Sequence, residues 1–264
     1  PPVSAAPATS PVSTRPEAVP KLAQLELDLR SRDPERQRIA LAALTEHAEA
    51  SAVSALADAL HAGLPDALAD RAIQALGGTR SSKALSTLAE LTRHRRAGAR
   101  AAAYAAASGI EGEAADELIA LGLRDSDANV RGLCARSLGE RGARTQLDLL
   151  FRALERGVPE ASPAIGKLAP AAGLERFHAQ LGHAPMQVML AGYEQILRRA
   201  DLDEAVKLDV IARLGEVAGL SAKRFLERML VDRDWSKQAR VQRALADTAK
   251  RIDARPPQKA EPKP

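Results

Sequence analysis

Aromatic side chains are nearly missing from this sequence. Its 264 residues hold only Phe151, Phe177, Phe225, Tyr104, Tyr193 and Trp235. Apolar residues still make up 45% of the chain, so a core has to be built from Ala, Leu, Ile and Val. Ala and Leu are strong helix formers, whereas strands favour β-branched and aromatic side chains, so little or no sheet is expected. The single cysteine, Cys134, excludes an internal disulfide framework and a multi-thiolate metal site. No apolar run approaches the roughly 18 residues of a membrane span, so no membrane insertion is expected. A one-sided charge excess is missing too. The 38 basic and 34 acidic residues give a net charge of +4, and they are interspersed as on a solvated helical surface. A protein that binds polyanions globally shows a clearer imbalance.

The two ends offer almost nothing to bury and are expected to be disordered. Residues 1–18 form a Pro/Ala/Ser-rich tether, and residues 254–264 a basic, Pro-rich tail. Tethers of this kind follow removed signals or lipid anchors in bacterial envelope proteins, which predicts a periplasmic or envelope location if such a signal precedes it and a cytoplasmic one otherwise. A linker to an upstream domain is the competing reading.

Between the ends, over 19–253, apolar residues recur at helical spacing in short segments. These are punctuated by Gly63, Gly77, Gly78, Gly109, Gly112, Gly142, Gly157 and Gly182 as stops, and Asp33-Pro34, Asp127, Asp203 and Asp234 as starts. A repeat underlies the pattern. Leu44, Leu76, Ala107, Leu138 and Leu168 stand 32, 31, 31 and 30 residues apart, and four positions before each lies a small residue: Ala40, Ala72, Ala103, Cys134 and Ala164. Small residues on a buried stripe let helix backbones approach closely. Leucine pairs such as Leu56/Leu60 and Leu150/Leu154 mark a partner helix in each repeat. The fold expected is all-α, an array of antiparallel helix pairs that bury their apolar faces by stacking. After Leu168 the spacing breaks, with Leu214 and Leu245 as the next anchors, which predicts an irregular inserted helix near 186–199. Trp235 is expected to cap the far end of the core.

The segment Asp127-Ala128-Asn129-Val130-Arg131 through Leu138-Gly139 resembles the first-helix signature of HEAT repeats, in the HEAT-like or PBS-lyase-type form. The resemblance is good over about 33–170 and weaker over 200–250. It implies a right-handed α-solenoid in which Asp127 and Arg131 take part in an ion and hydrogen-bond ladder along the turns. Arg100 matches the Arg position; Gln37, Ala69 and Ala161 do not, and Arg38 and Arg71 are candidate substitutes.

No catalytic or metal constellation stands out. His47, His61, His94, His178 and His183 fall in different repeats or at awkward spacing, and His178 and His183, five apart, do not make an i, i+4 zinc pair. Cys134 occupies a small core column and reads as an inert thiol. Phosphate loops and nucleophile elbows are not found, and no cofactor is called for. The densest charge feature is Arg93-His94-Arg95-Arg96 followed by Arg100. It reads either as a docking patch for a carboxylate- or phosphate-bearing partner, or as solvated residues complementing a helix C-terminus. The function expected is a non-enzymatic scaffold that presents an extended concave surface to a protein partner. Nucleic-acid binding is disfavoured by the scattered aromatics, and a HEAT-like lyase of the bilin type, or another enzyme, is the third reading.

Overall fold

The computed structural model describes residues 22–45, 50–217, 219–231, 235 and 237–254. The tether, residues 255–264 of the tail, His47 and Asp234 lie outside the described residues, whereas residue 254 closes the last helix. Among the described residues there are fifteen α-helices: α1 (Leu22–Leu29), α2 (Pro34–Thr45), α3 (Ala50–Ala62), α4 (Asp66–Gly78), α5 (Ala84–Leu91), α6 (Ala97–Ser108), α7 (Glu113–Leu121), α8 (Ala128–Arg141), α9 (Leu147–Glu155), α10 (Ala161–Leu168), α11 (Leu174–His178), α12 (Met186–Arg198), α13 (Glu204–Val217), α14 (Leu220–Val231) and α15 (Ala239–Ala254). Among the described residues the only β feature is an isolated bridge between Leu181 and Ala184.

Helix ends follow local chemistry. The Asp127 carboxylate accepts from the N–H groups of Asn129 (2.8 Å) and Val130 (3.2 Å) and caps α8. Asp33 accepts from Glu35 N (2.9 Å) ahead of Pro34. Gly142 ends α8 in the left-handed region, φ 74°, where a Cβ would be strained.

The helices stack in two rows. Even-numbered helices pack each on the next from α2 to α14, and odd-numbered ones run alongside, with α1 on α3, α3 on α5, α5 on α7 and α13 on α15. This is the all-α solenoid of stacked helix pairs that the repeat predicts. The five anchors and the small residues four before them are buried, Leu44, Leu76, Ala107 and Leu138 with no exposure at all. Burying one leucine side chain contributes roughly 1.5–3 kcal/mol, so each row is held mainly by such stripes.

The segment expected to be inserted is regular. Residues Met186–Arg198 form α12, the next member of the even row, packed on α10. Ile196 stands as its anchor 28 residues after Leu168, with the small Gly192 four positions before it. Leu214 and Leu245, the anchors that the spacing predicts, lie on α13 and α15 of the odd row instead. The shortening is in α11, five residues long between a 3-10 turn at Ala171–Gly173 and a connector that closes on the Leu181–Ala184 bridge. A shorter partner helix moves the next anchor forward, so spacing alone misassigns the row.

Close approach sets the register at that point. A Cβ on Gly166 of α10 would sit 2.3 Å from the Gly192 carbonyl oxygen, and one on Gly192 would sit 2.9 Å from the Ser162 carbonyl oxygen. Two arginines repeat one bond across the stack: Arg141 donates to Ser108 O at 2.6 Å, and Arg199 to Gly166 O at 3.2 Å, each reaching 33 residues back. Each satisfies carbonyls left open at the end of the preceding even helix. Trp235 is buried and donates to Met229 O at 2.8 Å, ahead of α15.

Candidate functional site

In a two-row stack every turn from an odd to an even helix falls on the same edge. The run Arg93-His94-Arg95-Arg96 makes one of these turns, between α5 and α6. Its cations have different fates. Arg96 N donates to His94 Nδ1 (3.1 Å), and the Arg96 guanidinium pairs with Asp66 (2.9 Å) and Asp70 (3.4 Å) of α4. Its Nε is buried without a hydrogen-bond partner among the described residues.

Arg100 is also committed. Its guanidinium grips Asp125 in a fork of 2.8 and 2.7 Å, and it donates to His94 O (3.0 Å) and Arg95 O (3.2 Å). The two side chains retain 13% and 6% of their exposure, and the guanidinium holds the Asp125 carboxyl below its ordinary value. Arg100 therefore joins two successive turns and is not part of an open patch. Arg93 and Arg95 are exposed and make no ion pair among the described residues.

The Arg100–Asp125 pair is also the inter-repeat rung that the resemblance places at Asp127 and Arg131. Asp127 caps its own helix, and Arg131 donates to Asp125 O (2.8 Å) and Ser126 O (3.0 Å) in its own turn. Gln37, at the same repeat position as Arg131, makes the matching bond to Leu29 O at 3.0 Å. Arg38 pairs with Glu35 inside α2 instead of substituting in the ladder.

A second cluster, not legible as a histidine pair, forms where α11, α12 and α13 meet. Ligand atoms of Glu175, His178 and Asp209 lie within 4.8 Å of one another. His178 is buried; its Nδ1 shares a hydrogen bond of 2.9 Å with the hydroxyl of Tyr193, which stacks on it, and its Nε2 lies 3.6 Å from Asp209. Burial, and then the positive Arg213, lower the imidazole pKa below 6.5. These are donors that a divalent cation could use, with Tyr193 orienting the ring. Arg213, however, already donates to Asp209 (2.7 Å) and Glu175 (2.6 Å), so its guanidinium fills the place of a cation between the carboxylates. A metal ion would have to displace it.

Cys134 is fully buried, and burial pushes its thiol pKa up to about 12. It is a packing residue, as its register predicts. Open grooves are present. One of about 290 Å³ between the α9–α10 turn and the α11–α12 connector is walled by Leu154, Val158, Pro159, Pro185 and Val188, with His183 at its rim. It takes in none of the Glu175 cluster. No helix among the described residues is long and apolar enough to cross a membrane.

No family model matches the chain, and no curated protein matches its sequence. Solved structures similar to it include the complex of CpcE and CpcF of phycocyanin lyase from Nostoc sp. PCC7120, at 17% identity and TM-score 0.46, covering 94% of this chain and 99% of that one. Human deoxyhypusine hydroxylase aligns at 14% identity and TM-score 0.44, over 89% and 96%. A designed armadillo repeat protein aligns at 16% identity and TM-score 0.41, over 88% and 100%. Likenesses this loose lend the chain no activity and no partner.

Proposed function

We propose that this solenoid is a non-catalytic scaffold that engages a protein partner through the turn edge carrying Arg93 and Arg95. The observation that carries the reading is their contrast with their neighbours. Arg96 and Arg100 are tied down by Asp66, Asp70 and Asp125, whereas Arg93 and Arg95 stay exposed and without an ion pair among the described residues. A stack of helix pairs offers long shallow surfaces, which suit macromolecules better than small substrates. An enzymatic role would draw on the Glu175–His178–Asp209 cluster, whose two carboxylates are both already paired with Arg213.

The test is affinity capture from the source cells with the wild-type chain, with Arg93→Glu/Arg95→Glu, and with Lys83→Glu on the opposite edge. A partner retained by the wild type and the Lys83 variant but lost by the double variant supports the reading. Equal recovery with all three overturns it. Duplex DNA retained with a steep salt dependence would favour nucleic-acid binding instead.

A further inference from the structure

The basic character of this edge does not stop at Arg93 and Arg95. Arg124 follows α7 and Arg156 follows α9, each within three residues of the end of its helix, as Arg93 is of α5. Both are exposed and, among the described residues, form no ion pair. The acids within four residues of them in the sequence are already committed. Asp125 is held by Arg100, Asp127 caps α8, Glu155 faces Arg176 at 3.8 Å, and Glu160 pairs with Arg136 at 3.0 Å. Four uncommitted guanidiniums thus run along three successive turns. The strip is bounded: the α3–α4 turn is Gly63-Leu64-Pro65, and the α11–α12 connector offers Gln180 and His183 with no Arg or Lys.

We infer that this strip docks an extended acidic segment of a partner protein, with a carboxylate at about every third residue. The inference rests on the scaffold reading above and names the chemistry of its partner. Packed helices lie about 8–10 Å apart, so the turns recur at that step. An extended chain advances about 3.3–3.6 Å per residue, so three residues cover one step. Guanidinium groups bind carboxylates through a planar fork, as Arg100 does with Asp125. Stacking on bases is not offered, since all six aromatic side chains are buried.

The experiment titrates the full chain against two fluorescent peptides of identical composition, and follows anisotropy at low and physiological salt. One peptide has Glu at every third position among Ser and Thr; the other has its Glu residues contiguous. The spaced peptide is expected to bind about fivefold more tightly, and Arg124→Ala/Arg156→Ala to weaken it about tenfold, in keeping with several exposed pairs acting together. Helical content by circular dichroism confirms that the variant folds. Equal binding of the two peptides, or an unchanged affinity in the double variant, overturns the inference. Tighter binding of duplex DNA than of the spaced peptide overturns it as well. If partner capture depends on Arg93 and Arg95 but not on Arg124 and Arg156, the acidic-segment inference falls while the scaffold reading stands. If it depends on neither pair, both fall.

Discussion

Replacing Gly166 by alanine tests whether α12 is the true continuation of the even row. In an exposed helix interior a Gly→Ala change gains up to about 1 kcal/mol, because alanine loses less backbone entropy on folding. At Gly166 the added methyl would sit 2.3 Å from the Gly192 carbonyl oxygen. An ordinary carbon–oxygen contact is about 3.3–3.6 Å, so α10 and α12 must separate by roughly 1 Å. The obstacle is backbone, which cannot rotate aside as a side chain can. Overpacking of this kind costs about 1–3 kcal/mol, more than the propensity gain, so a net loss of about 1–2 kcal/mol is expected. Gly98, exposed on α6 with nothing within 4 Å of its missing Cβ, is the matched control and should gain stability. Equilibrium urea unfolding followed by circular dichroism reads both variants, and the fluorescence of Trp235, the sole tryptophan, reads the C-terminal half of the stack that holds Gly166. A Gly166→Ala midpoint equal to or above the wild type would refute the close α10–α12 contact.

Other consequences are equally concrete. Arg100→Met should lower the urea midpoint at pH 7 and lower it less at acid pH. Asp125 has a depressed pKa when folded, so its pair stabilises above the unfolded value of 3.8 and the benefit disappears as pH falls through the folded value; a loss independent of pH would contradict this. The Cys134 thiol should resist a disulfide reagent at pH 8 and react at once in denaturant. Because its folded pKa is raised to about 12, the stability it contributes is present below its ordinary value of 9.0 and is lost as pH rises from there toward 12; fast labelling of the native protein would show that the site is open. His178 should titrate below 6.5 by NMR. Its contribution to stability is present above 6.5 and is lost as pH falls through the folded value; an imidazole pKa above 6.5 would show that Asp209 and Glu175 outweigh burial and Arg213.

The architecture was legible because small residues recur at a fixed step. Ala40, Ala72, Ala103, Cys134 and Ala164 sit four before an anchor, and that column alone marks Cys134 as a packing residue. The same column continues at Gly192, but the step shrinks to 28 residues because α11 is a single short turn, so the match at Ile196 is easily passed over. Arginine roles were less legible because they depend on partners distant in sequence. Asp125 lies two residues before the signature that points to Asp127, and its partner Arg100 is 25 residues away. Likewise Arg141 and Arg199 reveal their shared 33-residue reach only once the helices are stacked. The Glu175–His178–Asp209 cluster has no signature as a histidine pair, since two of its three members are carboxylates and one comes from another helix.

The claim that partners dock along the arginine-bearing turns is tested most directly by site-specific photocrosslinking in the source cells. A benzophenone side chain at Ala128, exposed at the start of α8 beside Arg124, should crosslink to the bound protein, and one at Lys83 on the opposite edge should not. Crosslinking from Lys83 with none from Ala128 would place the docking surface on the other edge and contradict the account.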